Sequence, residues 1–324
     1  MVEDSAGALP ARVAIVGCGL IGQAWAIVFL RAGYVVTLFD ADVSRIQAAR
    51  TAIKAQLDAL AEQQLLAGLD PALLHGRCII ADDLQSALVH AVYVQESGPE
   101  NAEIKAALTQ DLDRWAAPDV PIGSSTSGIA ASAYSAKVPG RHRCLVVHPI
   151  NPPHLVPAVE IVPAPWTAPE VTQTVASLMD RVGQTPIVQN KEVDGFVVNR
   201  MQGALLAEAM RLYAQGVASA EAIDDAVRDG LALRWSVIGP FETIHLNAPG
   251  GIADYVERYG PLYREILAEP PDETVWQAAL DQGLMENLTA LHPIESLDAA
   301  RAMRDRGIMA LIAGRKAQKA KGRT

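Results

Sequence analysis

The sequence predicts an α/β protein in which a doubly wound, mainly parallel sheet is followed by an all-α C-terminal domain. Apolar runs of strand length alternate with helical patterns through roughly the first 190 residues, which is typical of strands joined by helical crossovers. From Val193 onward the apolar residues recur only at helical spacing. We therefore expect two domains, one over residues 1–191 and one over residues 192–324.

Residues 12–40 contain a strand, a glycine turn, a helix and a second strand in close succession. The first apolar run leads into the spacing GxGxxG, whose glycines are Gly17, Gly19 and Gly22. A helical pattern follows, and the second apolar run ends at Asp40. A glycine turn in this context, with an acid about 20 residues further on, is typical of a turn that binds a dinucleotide.

Each part of this turn has a physical role. Gly17 permits the tight turn, Gly19 lets a ligand approach the backbone, and Gly22 lets helix and strand pack closely. The free N–H groups at the helix start attract a pyrophosphate. Asp40 can accept hydrogen bonds from ribose hydroxyls and would repel a 2′-phosphate, so a Rossmann-type domain that binds NAD is predicted. The alternative is an ordinary α/β turn in which Asp40 merely starts the next loop.

The remaining elements alternate in the same way. After a long helix over residues 43–69, the sequence predicts strands over residues 77–82, 91–96, 120–125, 143–147, 158–162 and 186–189, with helices over residues 99–115 and 129–136. The C-terminal helices are predicted over residues 196–215, 219–231, 240–246 and 251–267. Because the carboxyl ends of parallel strands meet at one edge, polar residues there indicate a ligand site. They are Glu96, Ser97, and the polar members of residues 124–127 and 148–151.

Composition disfavours several classes of partner. The chain of 324 residues has a net charge of −10, whereas nucleic acids and anionic membranes bind basic surfaces. Its three cysteines have neither disulfide nor metal-ligand spacing, and they suit a reducing compartment. The first ten residues carry no basic segment before an apolar core, so we expect no signal peptide. These features predict a cytoplasmic protein with no metal, membrane or nucleic-acid partner.

His148 and Glu160 are the first candidates for acid–base chemistry. His148 ends a predicted strand and Glu160 follows twelve residues later in the next one, so the chain can turn back and bring the two together. A histidine suits removal of an alcohol proton, and a carboxylate behind it would orient the ring. The alternative is a strand-end histidine bonded to local backbone and a surface glutamate.

Longer segments make a family resemblance specific. They read VAIVGCGLIGQAWA, SSTSGI, HPINPPHLVPAVEIVP, KEVDGFVVNR and LRWSVIGPFETIHLN, and they extend from about residue 12 to about residue 250. In these segments the chain resembles the 3-hydroxyacyl-CoA dehydrogenase superfamily, and within it the lambda-crystallin, or L-gulonate 3-dehydrogenase, branch. The resemblance implies NAD-dependent oxidation of a 3-hydroxyl group to a 3-keto group, by a homodimer that forms through the C-terminal helices.

The resemblance also implies roles for single residues. It makes His148 the general base and Glu160 its orienting partner, and it gives Ser127 and Asn199 hydrogen bonds to the reacting oxygen and to the His148 side. Asn151 would line the same pocket. The residues that it implies for NAD are Gly17, Gly19, Leu20, Ile21, Gly22, Asp40, Glu100 and Lys105.

Arg234 is the residue that we expect to distinguish substrates. An arginine presents a planar fork that suits a free carboxylate, so we expect Arg234 to bind the carboxylate of a free L-3-hydroxy acid. The alternative is a surface arginine paired with Glu208 or Asp229. Trp235 and His154 stand where the gulonate branch has tyrosine. We expect His154 in the wall or at the rim of the substrate pocket, and the alternative is a second base.

Two other functions stay open at this point. One is an L-3-hydroxyacyl-CoA dehydrogenase, which would need basic groups for the phosphates of CoA. The helix over residues 43–69 offers only Arg45, Arg50 and Lys54 for this purpose. The other is a crystallin-like structural protein that binds NAD without turnover, and such a protein would not need His148.

Overall fold

The computed structural model describes residues 10–267, 274–291 and 293–321, and the chain divides into two compact units. The first unit is Met1–Asn199 together with Ala302–Thr324, and the second is Arg200–Arg301. Among the described residues, the first unit contains a sheet flanked by helices and the second contains helices alone. The predicted fold class is confirmed.

Eight strands form one sheet in the first unit. In chain order they are β1 (Arg12–Val16), β2 (Val35–Phe39), β3 (Cys78–Ile80), β4 (Ala91–Glu96), β5 (Ile122–Ser124), β6 (Cys144–Pro149), β7 (Ala158–Pro163) and β8 (Thr185–Val188). Their order across the sheet is β3-β2-β1-β4-β5-β6-β7-β8. Neighbours from β3 to β6 are parallel, β7 is antiparallel to β6, and β8 is parallel to β7. The strand order reverses between β1 and β4, where ligands bind in sheets of this kind.

Most helices of the first unit lie between these strands in the chain, and two follow β8. They are α1 (Leu20–Arg31), α2 (Val43–Glu62), α3 (Pro71–Gly76), α4 (Leu84–Leu88), α5 (Ala102–Trp115), α6 (Ala131–Ser135), α7 (Pro169–Arg181), the start of α8 (Phe196–Ala214) and the end of α15 (Leu297–Lys321). Several begin after a side chain that accepts a backbone N–H of the first turn, which explains where they start. These capping residues are Asp42, Asp70, Asp83 and Asn101.

Apolar clusters cover both faces of the sheet. Trp25 and Phe29 of α1 lie in one cluster with Val147 of β6, and Met309 of α15 also belongs to it. The neighbouring residue on β6, Val146, lies in a different cluster with Phe196. Successive side chains of a strand point to opposite faces, so these two clusters lie on opposite sides of the sheet.

The sequence prediction of one long helix over residues 43–69 is confirmed over residues 43–62 and wrong over its last seven residues. α2 ends at Glu62, and Gln64 and Ala67 take the left-handed conformation with φ of 56° and 52°. This irregular turn directs Leu65 and Leu66 into the main core, where they are 5% and 3% exposed. Burial of two leucines favours the turn over the helical propensity of the segment.

The second unit is formed by helices throughout its described residues. They are the rest of α8, α9 (Ala220–Asp225), a π-helical segment (Ala226–Leu231), α10 (Ala232–Trp235), α11 (Pro240–Leu246), α12 (Gly251–Ile266), α13 (Thr274–Asp281), α14 (Leu284–Leu291), a short 3₁₀ helix (Ile294–Ser296) and the start of α15. Many large apolar side chains of this unit are exposed, among them Met201, Val237 and Phe241. Within the described parts of the chain, no helix is long and apolar enough to cross a bilayer.

Candidate active site

The turn between β1 and α1 is shaped by its three glycines. Gly17 has a φ of +99°, and a Cβ there would lie 2.5 Å from backbone atoms of Ser97. A Cβ at Gly22 would lie 1.9 Å from the carbonyl oxygen of Gly17, so neither position admits a side chain. A Cβ at Gly19, in contrast, would meet no atom of the described residues within 4 Å. The backbone at Gly19 is therefore open to a ligand.

Helix α1 begins without a capping side chain. Gly19 is its N-cap, and no side chain of the described residues accepts its first N–H groups. Unfilled N–H groups and the positive end of the helix dipole attract phosphate. Leu20, which is 72% exposed, and the partly buried Ile21 belong to the same turn. This surface fits the pyrophosphate of a dinucleotide.

Asp40 follows β2 and binds the glycine turn directly. Its Oδ2 accepts the backbone N–H of Cys18 at 2.8 Å, and its Oδ1 accepts the N–H of Asp42 at 3.0 Å. A carboxylate offers about four acceptor sites, so each oxygen can still accept a ribose hydroxyl. Asp40 thus both shapes the loop and keeps acceptors for a ligand.

The cysteine of this turn is not a reactive thiol. Cys18 is buried, and burial together with the charge of Asp40 raises its pKa to about 12. Cys78 and Cys144 are also buried free thiols with raised pKa values. Among the described residues, no group of three or more His, Cys, Asp or Glu side chains is placed to hold a metal ion.

His148 and Glu160 lie opposite each other on the antiparallel strands β6 and β7. The Nδ1 atom of His148 lies 2.7 Å from Oε2 of Glu160. His148 is 6% exposed and Glu160 is fully buried. The residues between His148 and Glu160 lead from β6 back along β7. The chain therefore brings the two side chains together, as the sequence predicts.

The second oxygen of Glu160 is held by the start of α8. Oε1 accepts the backbone N–H groups of Val197 and Val198 at 2.8 and 2.9 Å and the side-chain amide of Gln189 at 3.0 Å. The preceding residues Gly195 and Phe196 have positive φ angles of 75° and 52°. This sharp turn is what allows the helix to direct its free N–H groups at the carboxylate.

These contacts set the ionisation of Glu160. Burial alone raises its pKa, but the hydrogen bonds from His148, Val198 and Val197 outweigh burial and hold the pKa below its ordinary value. An ionised Glu160 can only accept, so Nδ1 of His148 carries the proton and Nε2 is left as the basic nitrogen. The ring of Phe196, fully buried, lies 5.6 Å from the imidazole ring, centroid to centroid.

Ser127, Asn199 and Glu100 form a second group. The side-chain amide of Asn199 donates to the carbonyl oxygen of Ser127 at 2.7 Å. Oε1 of Glu100 accepts the N–H and the hydroxyl of Ser127 at 2.9 and 3.2 Å, as well as contacts from Thr126 and Gly128. Burial alone raises the pKa of Glu100, but the hydrogen bonds from Thr126 and Ser127 outweigh burial and hold the pKa below its ordinary value. The carboxylate therefore stays ionised. Three predicted site residues are thus in direct contact.

Lys105 is placed differently from an open cofactor contact. It is 1% exposed, and its Nζ donates to both carboxylate oxygens of Glu96 at 3.1 and 3.0 Å. Ser124 and the N–H of Gly98 also bind this carboxylate. The Nζ atom also lies 3.8 Å from Oε2 of Glu100. Lys105 therefore holds Glu96 and Glu100 in place rather than facing an open cofactor site.

Asn151 and Arg234 are both exposed. Asn151 follows β6. Arg234 lies in α10 of the second unit, and its guanidinium makes no hydrogen bond or ion pair to any described residue. The partners considered for it are engaged elsewhere, because Glu208 binds Arg211 and Asp229 binds Arg228. The guanidinium of Arg234 is available to a ligand.

His154 lies neither in the wall nor at the rim of a pocket around His148, which corrects the sequence prediction. The adjacent Leu155 packs into the cluster of Trp25 and Phe29, whereas His148 contacts Phe196 on the other face of the sheet. The backbone oxygen of His154 accepts a hydrogen bond from Arg31 at the end of α1. The sheet therefore separates the two histidines.

Sequence patterns did not identify Gln189 as part of the site. It follows β8 and is 7% exposed, and its role depends on the pairing of β8 with β7. A glycine immediately before a helix, at Gly195, is a signal that could have indicated a helix N-terminus directed at a carboxylate.

The sequence matches known domains over most of its length. Residues 12–193 match the NAD binding domain of 3-hydroxyacyl-CoA dehydrogenase, and residues 195–285 match the C-terminal domain of the same enzyme family. The chain is 38% identical over 315 residues to a lambda-crystallin homolog of Bos taurus, covering 93% of this chain and 95% of the relative.

The names of two further similar proteins state an activity. The chain is 33% identical over 305 residues to an L-carnitine dehydrogenase of Streptomyces coelicolor, covering 93% of each chain. Among solved structures, it is similar to a 5-formyl-3-hydroxy-2-methylpyridine 4-carboxylic acid 5-dehydrogenase, described as an NAD+ dependent dismutase. The TM-score is 0.76 at 27% identity, covering 94% of this chain and 97% of that one.

Proposed function

The chain belongs to the 3-hydroxyacyl-CoA dehydrogenase family, an NAD-dependent family of oxidoreductases that act on CH–OH groups, and from this premise we propose that its substrate is a small L-3-hydroxy acid with a free carboxylate. The product would be the 3-keto acid. The observation that carries the proposal is the buried His148–Glu160 pair, which provides a base for the hydroxyl proton.

The proton step follows from the state of this pair. Ionised Glu160 keeps the proton of the neutral ring on Nδ1, so Nε2 of His148 removes the proton of the 3-hydroxyl group. The imidazolium that forms is stabilised by the carboxylate at 2.7 Å. In the reverse direction the same nitrogen returns the proton to the carbonyl oxygen.

Residues of two loops would hold the reactants. We propose that the turn from Gly17 to Gly22 binds the pyrophosphate of NAD, that Asp40 binds the ribose, and that Glu100 lies towards the nicotinamide end. When bound, NAD supplies the acceptor for the hydride that leaves the substrate carbon. Asn199 and Ser127, which are in contact, orient the reacting oxygen towards His148.

Arg234 supports the proposal that the substrate is a free acid. A guanidinium that has no acidic partner among the described residues suits a carboxylate in bidentate geometry. Two relatives carry the names of a carnitine dehydrogenase and of a pyridine carboxylic acid dehydrogenase, and both named compounds bear carboxylate groups. L-Gulonate is the first candidate, from the gulonate-type segments of the sequence.

The alternative is an acyl-CoA substrate, which the family name itself suggests. The basic side chains of α2 give it little support. Arg45 pairs with Asp42 at 3.6 Å and Lys54 with Asp58 at 2.8 Å, so both are engaged within the helix region. A crystallin-like structural role would not require the His148–Glu160 pair.

We also propose a homodimer through the C-terminal region, residues 192–324. On α8, Val197, Met201 and Leu205 are 38%, 57% and 36% exposed, and further exposed apolar side chains lie on α11 and α12. Such exposed apolar area is uncommon in a monomer. A molar mass near one chain in light scattering would contradict the dimer. Free buried cysteines favour placing the protein in the cytoplasm.

NADH formation tests the function directly. Purified protein with NAD is given L-gulonate, L-3-hydroxybutyrate, L-carnitine and L-3-hydroxybutyryl-CoA in parallel, with His148→Ala as the control. We expect turnover of a free acid that the variant loses. Turnover of the CoA ester alone would contradict the free-acid proposal and leave the role of His148 standing.

A further inference from the structure

A cavity lies in the first unit, away from the His148–Glu160 pair. Its volume is about 320 Å³, and its walls include Arg31, Leu65, His154, Leu155, Gln184 and Ile312. Leu65, Leu155 and Ile312 belong to the apolar cluster around Trp25, on the opposite face of the sheet from Phe196. The cavity is therefore separate from the dehydrogenase site.

Arg31 brings a positive charge to this cavity with no negative charge to match it. The Nη1 atom donates to the carbonyl oxygen of His154 at 2.8 Å, and no described carboxylate pairs with the guanidinium. Burial lowers the pKa of Arg31. Arg31 is partly buried, and an arginine removed from water is ordinarily paired with an acid, because an unpaired charge there is costly. Its remaining N–H donors are left for a group inside the cavity.

Two further polar atoms in the cavity wall have no partner. Oε1 of Gln184 and Nδ1 of His154 are buried and form no hydrogen bond to any described residue. Gln184 is 8% exposed, and its Nε2 donates to the carbonyl oxygen of Pro153 at 3.3 Å, which leaves the amide oxygen as a free acceptor. Buried polar atoms are ordinarily hydrogen-bonded, so these two atoms are placed to bind a polar group in the cavity.

Burial, more than the surrounding charges, keeps the ring of His154 neutral. Burial and the neighbouring Arg31 lower its pKa to about 4, while Asp305 of α15 acts in the opposite direction. Asp305 and Arg306 line an adjoining cavity of about 260 Å³ that shares His154. Arg31 is the charged residue in the wall of the larger cavity, as far as the described residues show.

We propose that the larger cavity binds a small organic acid that also carries a hydroxyl group. Arg31 binds the carboxylate, Oε1 of Gln184 accepts the hydroxyl proton, and Nδ1 of His154 forms the third polar contact. Leu155 and Ile312 contact the carbon chain. The volume is that of a site for a small molecule. This site is additional to the dehydrogenase site.

Isothermal titration calorimetry with the full chain tests the site, in the absence of NAD. L-Malate is the probe, and succinate is the same acid without the hydroxyl group. We expect malate to bind, succinate to bind about fivefold more weakly, and Arg31→Gln to weaken malate binding about tenfold or more. The matched control is Arg77→Gln, because Arg77 also donates to a backbone oxygen but is exposed.

A second variant tests the site independently, in case the Arg31→Gln protein misfolds. Ile312→Trp fills the cavity without changing its charge, and we expect it to abolish malate binding while NADH formation from the hydroxy acid is retained. No heat with malate in the wild-type protein would overturn the proposal. Unchanged malate affinity in both variants would also overturn it, as would a loss of affinity in Asn199→Ala, which would assign the binding to the dehydrogenase site.

Discussion

The side-chain amide of Gln189 donates a hydrogen bond to Oε1 of Glu160 at 3.0 Å, while Oε2 of the same carboxylate contacts His148. Gln189 and the start of α8 together hold the carboxylate of Glu160 in one orientation, because each of its oxygens is bonded to different partners. The base is thus oriented by a residue two strands away from β6, at the edge of the sheet. Gln189 is a positioning residue, since it acts on His148 through Glu160.

Gln189→Leu is expected to lower kcat about three- to tenfold with little change in KM, because it removes one hydrogen bond from the carboxylate. Losing an N–H donor raises the pKa of Glu160, so the acid limb of the kcat–pH profile moves to higher pH. Gln173→Leu on the exposed face of α7 is the control. If the pH profile of Gln189→Leu matched the wild type, the positioning role would be wrong.

Glu160→Gln is expected to lower kcat about 10²- to 10⁴-fold, because an amide cannot stabilise the imidazolium and can hold the wrong ring tautomer. The affinity for NADH should change little, which fluorescence titration measures. The thermal unfolding midpoint of the variant serves as the check on folding. A loss of kcat below tenfold would show that Glu160 is not the partner on which the base depends.

The sequence predicted those parts of the site that follow from local pattern. The glycine turn, Asp40 at the end of β2, and the return from His148 to Glu160 depend on short segments whose geometry is set by strand ends and turns. Family resemblance added Asn199, which no spacing rule would have selected. Its contact with Ser127 joins residues 72 positions apart.

Other features depend on tertiary packing and could not be predicted from local pattern. Gln189 reaches Glu160 only because β8 pairs with β7. Residues 63–69 looked helical, but burial of Leu65 and Leu66 made a turn more favourable. His154 shares a short segment with His148, yet the chain crosses to the other face of the sheet between them.

The glycine turn gives a prediction that separates packing from ligand binding. Gly19→Ala adds a methyl group to open space at an ordinary φ of −69°, so the fold should be retained while NAD binding weakens about tenfold or more. Gly22→Ala would place its Cβ 1.9 Å from a carbonyl oxygen and should lower the unfolding temperature sharply. Calorimetric titration with NADH and thermal melts measure the two effects. Equal NADH affinity in Gly19→Ala and wild type would contradict the pyrophosphate assignment.

The free energy of unfolding is expected to depend on pH because of the lowered pKa of His154. Its pKa is about 4 in the folded protein and 6.5 when unperturbed, so the unfolded chain binds more protons between these values. The free energy of unfolding therefore falls as pH decreases from about 6.5 to about 4. His154→Gln should remove about 2 to 3 kcal/mol of that decline. Urea unfolding at several pH values measures it.

The control for this series is His142→Gln, because His142 is exposed. Comparing slopes against pH cancels any constant loss of stability that a substitution causes. Parallel curves for wild type and His154→Gln would contradict a buried neutral ring. L-Malate, if bound beside Arg31, should reduce the decline in the wild-type protein by favouring the protonated ring.

Arg234 decides between the two substrate classes. Arg234→Gln is expected to raise KM for a free L-3-hydroxy acid about 10- to 100-fold with a smaller change in kcat, because the carboxylate loses a charged, bidentate partner in both ground and transition states. Turnover of L-3-hydroxybutyryl-CoA, which has no free carboxylate at that position, should be unaffected. Arg228→Gln is the matched control, since Arg228 is also exposed in the second unit but pairs with Asp225 and Asp229. An equal rise in KM for both variants would indicate a general charge effect, and an unchanged KM in Arg234→Gln would remove Arg234 from the substrate site.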